Sequence, residues 1–321
     1  MRVTNWARDK LMAKVVVTGG AGFIGSHIVD KLLARKHEVH VIDDLSSGSR
    51  GNLAHTPSAR LHVLDIRSKE ARDFVEKLAP DFVVHAAAQV SVRISMEQPA
   101  LDTDLNVTGL VNILTALKDR KGAHVVFLSS GGAIYGEQIA FPAKEDHPIK
   151  PESVYGLSKR VGEEYLEFWS RTWGVTSTSL RLSNVYGPRQ NPHGEAGVVA
   201  IFCERLLAGK SITVNGTGKQ TRDFVYVEDV AEAVGRAVDT RAVGEFNIGT
   251  AQETSVTALA EELRSLTAPQ AEILYAPAKP GEQMRSCIDN SAARAKLSWS
   301  PTVQFDHGLT QTVSWYKTKE A

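Results

Sequence analysis

The sequence predicts a doubly wound α/β fold, a parallel sheet covered by helices on both faces, with a smaller second lobe. Short Val/Ile/Leu-rich runs (VVVTG, EVHVID, LHVLD, FVVHA, VVFLSS and TSLRLSN) alternate with helix-length amphipathic segments. Near-continuous apolar strands separated by helices belong to a parallel sheet buried on both sides. A glycine-rich turn joins the first run to a helix. After Gly187 the alternation breaks into a loop, a helix and a strand that enters another Gly-rich turn. It resumes as helix and strand from Val225 to Gly249, and residues 251–321 then carry Pro269, Pro277, Pro280 and Pro301 between short elements. The main domain is therefore expected at 12–187 and 223–250, and the lobe at 188–222 and 251–321. Residues 1–11, ahead of Met12, are expected to be a disordered extension. A ligand is expected in the cleft between the two bodies.

Bulk properties narrow the function. The 321 residues include 37 basic and 37 acidic side chains, which gives no overall attraction to nucleic acid or anionic membrane. Cys203 and Cys287 are the only cysteines, and they fall in no CxxC or Cys/His spacing, so a reducing compartment and no metal are expected. No apolar run approaches the roughly 20 residues of a membrane span, and MRVTNWARDKLMAK lacks the apolar core of a signal peptide. Small-molecule chemistry in the cytoplasm is the expectation.

The turn VVVTGGAGFIGSHIVDKLL holds Gly19, Gly20, Gly22 and Gly25, with Phe23 and Ile24 opening the helix. Gly20, Gly22 and Gly25 satisfy GxGxxG, whose glycines serve a tight turn, close approach to a pyrophosphate and packing of helix on strand. The helix N-terminus presents free N–H groups to the phosphates. The second strand ends in Asp43, 43 − 19 = 24 residues beyond the first glycine. A carboxylate there accepts the adenosine ribose hydroxyls and repels a 2′-phosphate, favouring NAD over NADP. Asp44 falls one step past the strand. Asp65, with Ile66 beside it, closes the third strand and repeats the logic for the adenine edge.

VYGLSKRVGEEYLEFWSRTW predicts an amphipathic helix with Val161, Tyr165, Phe168, Trp169 and Trp173 on one face. Tyr155 and Lys159 stand at i and i+4 near its start, close enough for the ammonium to act on the phenol. Bringing a phenol from about 10 to near neutrality takes about 4 kcal/mol of phenolate stabilisation, which a neighbouring ammonium and a nicotinamide cation can supply.

TGGAGFIG, DD after the second strand, HAAA after the fourth, SSGGAIYG, YGLSK, SNVYGPR, RDFVYVEDVA and KPGE follow one another in this order. Together they resemble the extended short-chain dehydrogenase/reductase family, specifically its sugar-nucleotide epimerases and dehydratases. The resemblance implies a seven-stranded Rossmann domain holding NAD, a lobe gripping a nucleotide diphosphate sugar, and a homodimer through a four-helix bundle, here helices near 101–118 and 155–173. It implies that Tyr155 takes the sugar 4-OH proton, that Lys159 holds the nicotinamide ribose and lowers the phenol, and that Ala86 and Ala87 line the cofactor groove. Asn184, Arg222, Lys279 and Glu282 would face the substrate diphosphate, and Val199 and Asn215 the uridine.

The family's dehydratases carry an acid pair where this chain has Gly132 and Ala133, and its decarboxylases keep a Glu where Ala133 stands. Their absence favours a 4-epimerase acting on UDP-glucose and UDP-galactose. A UDP-glucuronate 4-epimerase and a non-catalytic NAD-binding sensor remain as alternatives. Ser286, three residues before Asp289, matches the position that opens or closes the pocket beside the sugar 2-substituent. A serine there is expected to admit the N-acetyl sugars as well. Gly131 stands where the family has a Ser or Thr hydroxyl. The expected substitutes are Ser130, a strand-end backbone N–H or a water.

Overall fold

The computed structural model describes residues 12–193, 197–278 and 283–320. The 1–11 extension and two expected substrate residues, Lys279 and Glu282, lie outside them. Seven parallel strands form the central sheet in the order Gly244–Ile248, Thr176–Leu182, His124–Ser130, Phe82–His85, Lys14–Thr18, Glu38–Asp43 and Arg60–Val63. Val15, Val16 and Val17 of the interior strand Lys14–Thr18 are wholly buried, as a strand covered on both faces requires. One face packs against helices Phe23–Ala34 and Val227–Thr240, the other against Lys69–Leu78, Gly109–Thr115 and Val154–Trp173. Strand order reverses between Lys14–Thr18 and Phe82–His85. That topological switch point opens the ligand crevice at the carboxyl ends of the strands.

The lobe pairs Ile212–Asn215 with Ile273–Ala276 and sets Thr221–Arg222 between Thr254–Ser255 and Arg285–Ser286. Helices Val198–Leu207, Val256–Thr267 and Phe305–Glu320 share its core. One boundary differs from expectation. Ala293, Leu297 and Trp299 lie in the main-domain core with Val230 and Val234, so the chain returns from the lobe at residues 291–299. Trp299 fixes the return by donating its indole N–H to the Asp229 carbonyl at 2.8 Å. The proline-rich spacing carries no trace of this long-range packing.

Helix Val154–Trp173 also differs from the predicted stripe. Phe168 is exposed, and the buried residues are Gly156, Ser158, Lys159, Gly162, Glu163, Leu166 and Trp169. Charged side chains point inward because their partners are inside. Glu163 accepts from Ser129 Oγ at 2.7 Å and from Arg181 Nε and Nη2 at 3.0 and 2.9 Å. The two ions are 1% and 3% exposed, and a buried pair of this kind persists only when hydrogen bonds complete it. Arg181 goes on to Tyr135 Oη and the Glu145 carbonyl.

His124 is buried between Thr176 and Thr178, each hydroxyl 2.8 Å from a ring nitrogen. Burial and the Arg241 charge pull its pKa down to about 4. The unfolded chain, with an ordinary histidine near 6.5, binds the proton first as pH falls, so His124 removes stability between about pH 6.5 and 4. His27 and His85, held at about 4 and about 3 chiefly by burial, act in the same direction. The urea midpoint is expected to fall as pH is lowered through this window, and His124→Gln to remove part of the fall. A flat midpoint across the window would refute the assignment.

Candidate active site

Strands Lys14–Thr18 and Phe82–His85, first and fourth along the chain, deliver the two walls of the crevice. Gly19 has φ +69, and a Cβ there would stand 2.6 Å from the Ala87 backbone nitrogen and 2.9 Å from the Ala86 carbonyl carbon. Only glycine combines that conformation with that approach. The Ala86 N–H donates to the Thr18 carbonyl and the Ala87 N–H to Thr18 Oγ1, at 3.1 and 3.3 Å. Gly22 caps helix Phe23–Ala34, leaving the helix's first N–H groups facing the crevice. At Gly25 a Cβ would meet the Gly19 oxygen at 2.0 Å, so turn and helix are in direct contact. This cradle fits a pyrophosphate.

Asp43 closes the same wall. Its Oδ2 accepts from the Ala21 N–H and Oδ1 from the Leu45 N–H, both at 2.9 Å. Burial pushes its pKa up, partly offset by those two bonds. Each oxygen retains a lone pair for a ribose hydroxyl. Asp44 is exposed and binds Ser46. Asp65 is engaged by the Arg67 guanidinium, which also reaches Asp104, and that hydrogen bonding holds its carboxyl below the usual range. The Ile66 side chain lies in the core, its Cδ1 against Gly109, so only its backbone can meet a cofactor.

The opposite edge carries Tyr155 and Lys159. Ser153 caps their helix by accepting from the Gly156 N–H at 3.0 Å. Gly162 lets the helix lie close on the fifth strand, where a Cβ would come within 2.8 Å of the Phe127 ring. Lys159 Nζ thereby reaches the Leu128 carbonyl at 2.9 Å and stands 5.8 Å from the Tyr155 ring centre. Burial brings the Lys159 pKa down to about 8, against the raising charges of Asp102 and Glu163. Tyr155 is pushed up to about 12 by burial, and the Ser130 hydroxyl draws it part of the way back. The expectation of a phenol lowered by Lys159 is thus not met in the protein alone, because the ammonium is turned to a backbone carbonyl.

The quartet Ser129, Ser130, Gly131 and Gly132 divides its tasks. Ser129 faces Glu163 and Ser130 faces Tyr155. Gly131 is buried, and a Cβ there would meet Ile288 Cδ1 at 3.0 Å, so a hydroxyl at this position would press on Ile288. At Gly132 a Cβ would find only Ser286 Oγ at 3.8 Å and Asn184 Oδ1 at 3.9 Å. Asn184 and Ser286, far apart in sequence, therefore border one space. Asp223 aligns them: its N–H donates to the Ser286 carbonyl and its carbonyl accepts from the Asn184 N–H, both at 2.9 Å. Arg222 is half-buried beside them and donates to the Thr221 carbonyl at 2.8 Å. Asn215 ends its strand half-buried, its carbonyl taken by Gln220. Val199 is a correction: its side chain is 1% exposed in the lobe core, where helix packing claims it.

Residues 15–249 match the NAD dependent epimerase/dehydratase family. The chain belongs to that family. UDP-glucose 4-epimerase of Mycolicibacterium smegmatis is 40% identical over 310 residues, 95% of this chain and 99% of the relative. UDP-glucose 4-epimerase from Thermotoga maritima, solved with UDP-glucose, matches with a TM-score of 0.92 at 42% identity, covering 96% of this chain and 99% of that one. UDP-glucose 4-epimerase from Thermus thermophilus, solved in complex with NAD, matches with a TM-score of 0.89 at 41% identity, covering 94% and 98%.

Sequence reasoning missed several polar residues of this family member. Buried Asp102 and Asn106 and half-buried Gln89 form a hydrogen-bonded knot beside the Tyr155 helix. Thr18 and His85 bind one another at 3.0 Å under the groove. Glu163 alone carries a signal, since it continues the Tyr155, Lys159 spacing by one more helical turn. Among the described residues no cluster of His, Cys, Asp or Glu is arranged to hold a metal, and no helix is long and apolar enough to cross a membrane.

Gly19→Ala is expected to weaken NAD binding at least about tenfold, the effect of 1.4 kcal/mol, because left-handed strain alone is of that order. Calorimetric titration of the cofactor-stripped protein measures it. Unchanged affinity would remove the glycine turn from the cofactor site.

Proposed function

We propose that this chain is a UDP-hexose 4-epimerase that interconverts UDP-glucose and UDP-galactose and also accepts the N-acetylhexosamine pair. The observation that carries the reading is the convergence of Tyr155, Ser130 and Lys159 beside the switch-point crevice, with no carboxylate among the described residues in the space at Gly132. Elimination needs a proton donor to the departing hydroxyl, and Gly132 and Ala133 supply none. Inversion at C4 needs only a base, an acid and a hydride carrier.

Tyr155 would take the 4-OH proton and return it to the opposite epimer. Ser130 would donate to the phenolate as the proton leaves, which makes it the substitute for a hydroxyl at Gly131. Lys159 would hold the ribose of the cofactor and add positive charge beside the phenol. NAD, held by the Gly19–Gly25 turn, Asp43, Ala86 and Ala87, would supply the reversible acceptor for the C4 hydride. Asn184 and Arg222 would face the substrate diphosphate. Ser286, whose hydroxyl borders the space left by Gly132, would leave room for a 2-acetamido group.

A homodimer belongs to the same proposal. Val92, Met96, Leu101, Leu157 and Phe168 are exposed apolar side chains on helices Val92–Glu97, Pro99–Thr103 and Val154–Trp173, a surface that a second copy would cover. Both cysteines are buried free thiols, which supports work in a reducing, cytoplasmic setting.

Tyr155→Phe is expected to lower turnover of UDP-galactose roughly 10²–10⁴-fold, the usual contribution of a placed base, while NAD stays bound. Turnover within a few-fold of the parent would favour the sensor reading. Ser286→Tyr is expected to cut epimerisation of the N-acetyl pair at least about tenfold more than that of the glucose pair. Equal losses on both pairs would detach Ser286 from the 2-substituent.

A further inference from the structure

Asp102 sits on the short helix Pro99–Thr103 and is wholly buried. Its Oδ2 accepts from Gln89 Nε2 at 2.8 Å and from Asn106 Nδ2 at 3.1 Å, while Oδ1 takes no hydrogen bond among the described residues. Asn106 lies in a π-helical turn, Asp104–Thr108, the kind of insertion that re-aims a side chain and recurs at functional sites. From there Asn106 clamps the loop after the fourth strand, accepting from the Gln89 N–H at 2.8 Å and donating to the Gln89 carbonyl at 2.9 Å. The same Asn106 Nδ2 lies 3.2 Å from Ser158 Oγ, which donates to the Tyr155 carbonyl at 2.9 Å. A chain of hydrogen bonds therefore runs from one buried carboxylate to the backbone of the proposed base.

We propose that Asp102 is a positioning residue for the Tyr155–Lys159 pair: its carboxylate fixes the loop under the cofactor groove through Gln89 and Asn106 and sets a negative charge behind the phenol and the ammonium. The proposal rests on the reading of Tyr155 as the base. A buried carboxylate with an unfilled acceptor position is costly, and nothing in the local packing requires an acid there, since an asparagine of the same shape could accept from both amides. What the acid adds is charge.

The groups facing the pair define its effect. Around Tyr155 these are the Ser130 hydroxyl from the fifth strand, Asp102, and Lys159 on its own helix. Around Lys159 they are Asp102, Glu163 one turn on, the Leu128 carbonyl, and His85 from the fourth strand, which burial keeps neutral. Glu163 is compensated by Arg181 at 2.9 Å, whereas no cation is paired with Asp102 among the described residues. A negative charge disfavours phenolate and favours ammonium, so Asp102 raises both groups. It keeps Lys159 cationic in a site whose burial works the other way, and it holds the phenol protonated until a positive charge arrives in the groove. Removing it lowers both steps.

The test is a titration of tyrosinate absorbance on the NAD-loaded protein, with the Tyr155 step identified by its loss in Tyr155→Phe. In Asp102→Asn the step is expected to move to lower pH by roughly one unit, and both limbs of the kcat/KM profile to move the same way. Asp102→Ala, which places no amide opposite the Gln89 and Asn106 donors, must move the step in the same direction. Gln89→Leu, which keeps the charge and loses one hydrogen bond to Asp102 together with two to the Ser91 backbone, must leave it in place. A step unmoved in both Asp102 variants, or moved equally by Gln89→Leu, overturns the proposal and leaves Asp102 a structural residue. The absorbance step is read without turnover, so its shift is independent of whether Tyr155→Phe abolishes epimerisation.

Discussion

The site depends on one buried carboxylate held from three sides. Glu163 ties helix Val154–Trp173 to the fifth strand through Ser129 and to the sixth through Arg181. Arg160, on the helix surface, adds a third partner and second cation at 3.2 Å. Desolvating such an ion is costly, and the cost is offset only while every partner is in place. The helix consequently has one rotation about its axis and one height along the sheet. Tyr155 and Lys159, eight and four residues earlier on the same stripe, inherit that placement. The Lys159 bond to the Leu128 carbonyl and the Ser130 contact with the phenol follow from it.

Electrostatics inside this frame are divided between the chain and its cofactor. Burial alone drives the phenol and the ammonium toward their neutral forms. The protein meets this with a hydroxyl at Ser130, which favours the phenolate, and with the acids Glu163 and Asp102, which protect the ammonium, Asp102 at the phenolate's expense. A protein so arranged holds the Tyr155 phenol protonated when no other charge is in the groove.

Much of this is legible in the sequence where the signal is local. The apolar runs, the glycine turn with Asp43 at the next strand end, and the Tyr155, Lys159 spacing are each written within a few residues, and the fold places them together at the switch point. What escapes is set by partners distant in sequence. The helix stripe misleads because Phe168 reads as core while Glu163 reads as surface, and only Arg181 on another strand reverses the two. Val199 has the composition of a pocket wall and the neighbours of a lobe core. Residues 291–299 return to the main domain through Trp299 and Asp229, 70 residues apart in sequence. Asp102 is an unremarked acid until Gln89 and Asn106 close on it.

Gly131 and Ile288 have a consequence for how such a pocket can change. The space that a side chain at Gly131 would fill is occupied from the second half of the chain, by Ile288, a residue 288 − 131 = 157 positions away, while Ser286, two residues earlier, borders the neighbouring space at Gly132. Floor and wall are thus cut from two halves of one chain that must be altered together. Grafting the substrate lobe of a relative onto this Rossmann domain would import the relative's residue 288 against a glycine shaped for isoleucine. The shape of this space is inherited as a matched pair of segments, and neither half carries it alone.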